Sequence, residues 1–401
     1  MLQKKMYVRL IISFWILLIF SDSSISVLKF AHLVKPIIMI TIGTASIFLM
    51  LKKQIKNSFI FPFILFFTYV FISVFFHPNF FIYLQKSLSY FFIYFSPPIY
   101  FILIQKQNKT NELLHSIIFF GNLILLISIL LGLFAPELGA QFGNRLNGVF
   151  RNPNGIGIFI ALYGILAYVI FKTIEIPRKI KRFSFMLIVI ILFLSGSRSA
   201  LGALMIFMIG TSMAKKSSWF FVIFSIAFYF IYHSLYDLAI ASIYTMGYSD
   251  LFRLETIDMA SGRIYVWQAA KKEIMDNLFF FGGGFNYSES KHWLPKYYIE
   301  IPDLIQHQGN VHQSFLSLWM NNGLIGLSFF LFGWLKNILI SLKKTPLTLP
   351  IFAALVFSAS YESWLIASLN PFTIQLVLIF SIILLHKNNS NPTKIILDAK
   401  N

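Results

Sequence analysis

Long apolar runs dominate this chain, and short polar stretches punctuate them at nearly regular intervals. A bilayer core about 30 Å thick is crossed by roughly 20 apolar residues in helical conformation. Runs of that kind lie near residues 7–24, 29–51, 57–76, 84–104, 113–135 and 155–171. More follow near 183–196, 199–213, 217–236, 312–335, 348–364 and 370–386. The pattern predicts an all-α polytopic bundle of about 12 transmembrane helices. Residues 1–236 hold about nine of them, 237–311 form one large polar loop, and 312–401 hold about three more and a polar tail. Within 183–213, the stretch Ser195-Gly196-Ser197-Arg198-Ser199 either divides two short spans or interrupts one long span. Lys4, Lys5 and Arg9 ahead of the first run resemble a signal peptide. No small-residue cleavage site follows, so a retained helix is expected.

Composition agrees with a lipid-solvated chain: 57% of residues are hydrophobic and 12% charged, against roughly 25% charged in soluble domains. A net charge of +18 would suggest nucleic acid in a soluble protein, but its placement points elsewhere. With the N-terminus inside, segments 1–5, 52–56, 105–112, 172–182, 214–218, 336–344 and 387–401 face the cytoplasm and carry most of the 33 Lys and Arg. The short outer loops near 21–28 and 77–82 carry none, and acidic residues outnumber basic ones in 237–311. By the positive-inside rule both termini are cytoplasmic and the large loop is periplasmic or extracellular. This holds only if Ser195–Ser199 divides two spans; a single span would reverse everything downstream. The charge therefore belongs to the lipid surface, and no nucleic-acid partner is expected. There is no cysteine, which removes disulfides, thiolate metal sites and Cys nucleophiles together. With no phosphate-binding loop, His/Glu metal spacing or nucleophile elbow, neither a metal nor a nucleotide cofactor is expected.

Four polar clusters remain on the expected outer side. Gly143-Asn144-Arg145 through Arg151-Asn152-Pro153-Asn154-Gly155 reads as a tight turn carrying Arg145 and Arg151 at the outer end of a span; snorkelling at the interface explains the pair equally well. Arg198, flanked by small hydroxylic residues between apolar runs, is costly unless it is paired or faces water. Ser261-Gly262-Arg263 opens a helix, with Ser261 as its cap and Ile264, Trp267, Ala270 and Ile274 on one apolar face. Arg263 then stands near the positive helix end, suited to an anion, and Gly282-Gly283-Gly284 marks a close backbone approach. Val311-His312-Gln313-Ser314 stands where the loop returns to the membrane. It offers an imidazole that titrates near neutral pH, with His292 and His307 as competitors. Glu362, near the outer end of the eleventh span, is placed to pair with an arginine or orient the histidine. Several arginines beside one histidine suit a diphosphate leaving group with imidazole as proton acceptor.

In this order the segments resemble the bacterial O-antigen ligase and O-antigen polymerase family. The landmarks are Arg145-x-x-Gly148 with Asn152-Pro153-Asn154, then Ser197-Arg198-Ser199, Arg263-x-x-x-Trp267 with Gly282-x-Gly284, and His312-x-x-x-Leu316 with Gly323 and Gly326. Family members commonly carry Asn where this chain has Gln313. The resemblance implies a GT-C-like membrane glycosyltransferase of the bacterial inner membrane, inverting and free of metal. Its donor would be an undecaprenyl-diphosphate-linked glycan, and its acceptor a glycan or lipid-linked hydroxyl. His312 would deprotonate that hydroxyl, and Arg198 and Arg263 would bind the diphosphate, with Arg145 and Arg151 as weaker candidates. Glu362 and Gln313 would support them. A repeat-unit polymerase is the preferred expectation, with a flippase and a chain-length regulator as candidate partners besides the membrane lipids. A ligase transferring the glycan to lipid A–core comes second, and a transporter or flippase third.

Overall fold

A computed structural model describes residues 6–23, 25, 28, 30–77, 79–140, 145–214, 245, 263–290, 292–306, 311–367 and 369–386. Among them there is no strand. Helices α1 (Met6–Ser21), α2 (Phe30–Lys52), α3 (Ile64–Val74), α4 (Phe80–Lys106) and α5 (Thr110–Phe134) come first. They are followed by α6 (Pro153–Thr173), α7 (Arg178–Ser195) and α8 (Arg198–Ala214). After α9 (Arg263–Glu273) come α10 (Ser314–Leu342), α11 (Thr348–Tyr361) and α12 (Pro371–Leu385). Every expected apolar run except 217–236 coincides with a helix. That run, Lys4, Lys5, Gly143, Asn144, Ser261, His307 and the tail 387–401 lie outside the described residues. By length and composition α2, α4, α5, α6 and α10 can each cross a membrane, and α1, α8, α11, α12 and the stretch from Phe61 to Val74 are shorter apolar helices.

Two Asn-Pro pairs set helix starts that the apolar pattern blurs. Asn152 Oδ1 accepts from the Gly155 N–H at 2.7 Å, so Pro153 opens α6 rather than ending a turn. Asn370 Oδ1 accepts from the N–H groups of Phe372 and Thr373, both at 2.8 Å, ahead of Pro371. In each case the Asn satisfies orphan donors and the Pro, lacking an N–H, adds none.

The break at Ser195–Ser199 reverses the chain. Gly196 adopts a left-handed φ of 56° and ends α7. Gly157 of α6 packs on Ser197 and Ala200, whereas Gly164, two turns further along, packs on Leu204 and Ile188. So α8 runs alongside α6 and α7 runs against it. The 145–155 turn and the Ser195–Ser199 turn therefore meet at one end of the bundle. At the core, α12 packs on α4 and α6. Phe63, Phe66, Tyr94, Phe330, Trp334 and Phe380 interlock through edge and tilted ring contacts beside it. Lipid tails are as apolar as these side chains, so close ring packing and small-residue contacts carry helix association here.

The loop region is spliced into α10. At Gly323 (φ 65°, ψ −177°) the helix breaks. The carbonyls of Met320 and Asn321 instead accept from the N–H groups of Gly283 and Gly284, both at 2.8 Å. The N–H groups of Leu324 and Ile325 donate to the Phe279 and Phe280 carbonyls at 2.7 and 3.2 Å. These four groups thus exchange helix partners for partners on the loop, as buried backbone groups require. A Cβ on Gly282 would stand 2.4 Å from the Gly323 nitrogen, and one on Gly323 would stand 2.1 Å from the Phe280 carbonyl oxygen. The glycine run is therefore the close backbone approach expected of it.

A second apolar core fixes this region, made by Val266, Ala269, Ala270, Ile274, Trp293 and Leu294 with Met320 of α10. The buried stripe of α9 differs from the expected one: Ala270 and Ile274 are buried, Ile264 and Trp267 only half-buried. The reason is Glu273, which is fully buried on that stripe and reads as polar in the sequence. Its carboxylate accepts from Tyr297 (2.6 Å), Lys296 (3.0 Å), Asn277 (3.1 Å) and Tyr287. Burial pushes its pKa up, and the donors from Tyr287, Tyr297 and Lys296 more than offset this, leaving it below the ordinary 4.5. A depressed carboxylate stabilises fully above its unfolded pKa and loses that contribution as pH falls through the folded value. Protease resistance of 263–306 should therefore be constant from neutral pH down to the ordinary carboxylate range and fall only in stronger acid. Glu273→Gln should lower the unfolding temperature at pH 7, by the equivalent of about 1–3 kcal/mol, and should flatten the acid dependence.

Candidate active site

The site is built on a residue that leaves its helix. α11 ends at Tyr361 and Glu362 continues in extended conformation (φ −140°, ψ 146°). Ser314, the first residue of α10, clamps it: its Oγ donates to the Glu362 carbonyl at 2.6 Å and accepts from the Leu365 N–H at 3.2 Å. The Glu362 side chain is only 6% exposed and so needs partners. Arg263 supplies the main one, with Nη2 3.0 Å from Oε1 and Nη1 donating to the Tyr361 carbonyl. Ser199 Oγ donates to the same Oε1 at 3.4 Å. Nδ1 of His312 lies 4.0 Å from Oε2, within ion-pair range. The imidazole is 39% exposed, so a buried carboxylate backs a partly exposed histidine.

The four-residue spacing between Arg263 and Trp267 has a geometric cause. One turn apart on α9, they share a face. Arg263 reaches Tyr361 and Glu362, while Trp267 Nε1 donates to the Val311 carbonyl at 2.8 Å and its ring sits 6.2 Å from that of Tyr361. On the other side of His312, Gln313 caps α10 by accepting from the Leu316 N–H. Held between these bonds, His312 adopts φ 50°, a left-handed conformation that costs a non-glycine residue about 1–3 kcal/mol. Gln313 thus serves as a cap for the helix that follows the histidine.

Arg145 stitches the two turns together. Its Nε donates to the Ser195 carbonyl at 2.8 Å, and its Nη2 reaches the Gly196 carbonyl at 3.3 Å and Asn154 Oδ1 at 3.4 Å. Its charge also acts on Glu362. Arg198 opens α8 between Ser197 and Ser199, whose hydroxyls are 3.4 Å apart. Of the residues expected at the site, Arg263, His312 and Glu362 meet in one centre; Arg145 stands at its rim within electrostatic reach of Glu362, and Arg198 next to Ser199. Arg151 goes elsewhere: it is exposed, and its charge acts on Asp22 and His32. His292 lies exposed on the loop. Ser199, Ser314 and Trp267 complete the centre. In the sequence Trp267 showed through its spacing from Arg263 and Ser199 and Ser314 as neighbours of Arg198 and His312, but none of them as a member of this centre. A cavity of about 1090 Å³ opens at the opposite end of the bundle near Lys56, Lys106 and Lys344 and takes no part in this centre.

Residues 183–331 match the family model described as O-antigen ligase. Over that stretch the chain is similar to O-antigen ligases. The matched region runs from α7 into α10 and holds Arg198, Arg263, His312 and Gln313, whereas Arg145, Arg151 and Glu362 lie outside it. No curated protein matches the chain. With its apolar helices, the O-antigen ligase match describes an integral membrane protein of O-antigen ligase or polymerase type. Trp267→Phe keeps an aromatic ring, smaller than the indole, and removes the N–H that holds Val311. It should leave accumulation in the membrane unchanged and lower turnover several-fold, since one net hydrogen bond is worth about 1 kcal/mol. Quantitative polymer blots against a protein-level control measure both.

Proposed function

We propose that the chain transfers a glycan from an undecaprenyl diphosphate carrier to a sugar hydroxyl, on the extracytoplasmic side of the inner membrane and with inversion. The observation that carries this reading is the convergence of Arg263 and His312 on buried Glu362, with Arg145 and Arg198 at its rim. In the reaction, the acceptor oxygen attacks the anomeric carbon while the bond to the diphosphate oxygen breaks. The acceptor proton passes to the His312 imidazole, and Glu362 behind Nδ1 stabilises the resulting imidazolium. Guanidinium groups of Arg198 and Arg263 neutralise the departing diphosphate through charge-assisted hydrogen bonds.

Between the two acceptors, repeat-unit polymerisation is the reading we favour, with the next lipid-linked repeat unit as acceptor. The ligase reading is supported by the family description itself, and would place the glycan on lipid A–core. A deletion strain that still caps its lipid with one repeat unit identifies the polymerase; one that accumulates polymer on the carrier identifies the ligase. A flippase reading fails if purified protein elongates a lipid-linked glycan without an energy source.

His312→Ala should lower transfer by roughly 100-fold or more while the protein inserts and accumulates normally. Full activity in that variant removes His312 from the chemistry. Arg198→Lys keeps the charge and loses the planar fork, so a large loss is expected there too.

A further inference from the structure

One buried hydroxyl ties the bundle to the segment that carries Glu362. Tyr90 of α4 is completely buried, and its Oη donates to the Leu365 carbonyl at 2.8 Å. Tyr94 Oη stands 3.3 Å from the same hydroxyl, a longer contact. Leu365 is buried in the connection between α11 and α12, just past Glu362. Among the described residues, Tyr90 is the donor that its carbonyl receives. The Leu365 N–H in turn donates to Ser314 Oγ at 3.2 Å, and that hydroxyl donates onward to the Glu362 carbonyl at 2.6 Å. A serine hydroxyl has one hydrogen and two lone pairs, so accepting from Leu365 leaves its hydrogen to point at Glu362.

The Tyr90 ring is itself held from two sides. It lies 4.8 Å from the ring of Phe285, which follows Gly282–Gly284 where the loop enters the broken turn of α10. Phe66 and Phe67 of α3 stand 6.3 and 6.0 Å away. Other bonds fix the connection to its own helices: Asn370 Nδ2 and Thr373 Oγ1 donate to the Trp364 carbonyl at 2.8 and 3.2 Å, and Trp364 Nε1 donates to Ser358 Oγ at 3.1 Å. The bond from Tyr90 is the one that references Leu365 to α4.

Without the Tyr90 hydroxyl, the Leu365 carbonyl would be buried with no donor, a defect that favours a shift of the segment. Ser314 passes that shift to Glu362, whose Oε2 stands 4.0 Å from His312 Nδ1. Through Oε1 the carboxylate stays paired with Arg263 at 3.0 Å, so the longer contact to His312 is the one that gives. We propose that Tyr90 is a positioning residue of this centre, setting the distance between the Glu362 carboxylate and the His312 imidazole through Leu365 and Ser314. Its consequence for turnover rests on the glycan-transfer reading; the distance itself does not.

The test reads the imidazole directly, as the rate at which diethyl pyrocarbonate modifies His312 at pH 6 in purified full-length protein in nanodiscs. Peptide mass spectrometry separates His312 from the other histidines. The neutral ring is the reactive one, and a neighbouring carboxylate favours the charged form. Tyr90→Phe keeps the ring packing and should make His312 react several-fold faster, as Glu362→Gln does. In Ser314→Ala, which cuts the same path, adding Tyr90→Phe should change the rate little. Turnover of carrier-linked glycan extracted from a deletion strain should fall several-fold in Tyr90→Phe, in kcat and not in KM. A lowered unfolding temperature with His312 reactivity unchanged makes Tyr90 purely structural and overturns the proposal. So does a gain in rate that adds in full to that of Ser314→Ala. Faster modification with turnover unchanged leaves the positioning standing and removes His312 from the transfer chemistry, whereas slower turnover with reactivity unchanged does the reverse.

Discussion

A carboxylate buried at the end of a membrane helix has to be paired, and Glu362 is that carboxylate. Removing one partner of such a pair costs roughly 3–5 kcal/mol, because the other charge stays buried. Arg263, Ser199 and His312 gather on it from three separate parts of the chain. The large loop, the α7–α8 turn and the start of α10 are thereby held to one point. The interaction that keeps the carboxylate soluble in the bundle is also the one that assembles the chemistry.

The loop has a second anchor, and the two divide the work. Gly282–Gly284 enters the broken turn of α10 through backbone bonds alone, so that junction fixes position without adding charge. Glu273 then holds the loop's own core around a saturated carboxylate. With both in place, Arg263 and Trp267 reach the bundle from a rigid helix. The strained backbone of His312 is tolerable because bonds on either side of it are already fixed. The centre is preorganised by its surroundings.

Helix positions were legible in the sequence because lipid imposes a length and a polarity on each span. The candidate residues were legible as polar exceptions inside that pattern: Arg198 between apolar runs, Arg263 at a helix start, His312 where the loop returns. Of their partners, Glu362 was legible as a carboxylate near the outer end of a span, and Ser314 was not. Ser314 binds a carbonyl far along the chain, and nothing local to it signals that. Glu273 was missed because a buried carboxylate and a solvated one look alike in a periodicity argument. Arg145 and Arg151, six positions apart on one turn, read as a pair, yet the turn sends them to different clusters. Backbone geometry decides that separation, and residue spacing does not encode it.

The central claim is that Glu362 and Arg263 are one unit, and a double-mutant cycle tests it directly. Unfolding temperatures of Arg263→Gln, Glu362→Gln and the double variant would be compared in the same detergent. The account predicts that each single change destabilises and that the double variant recovers much of the loss, with a coupling of about 1–3 kcal/mol. Losses that simply add would contradict it.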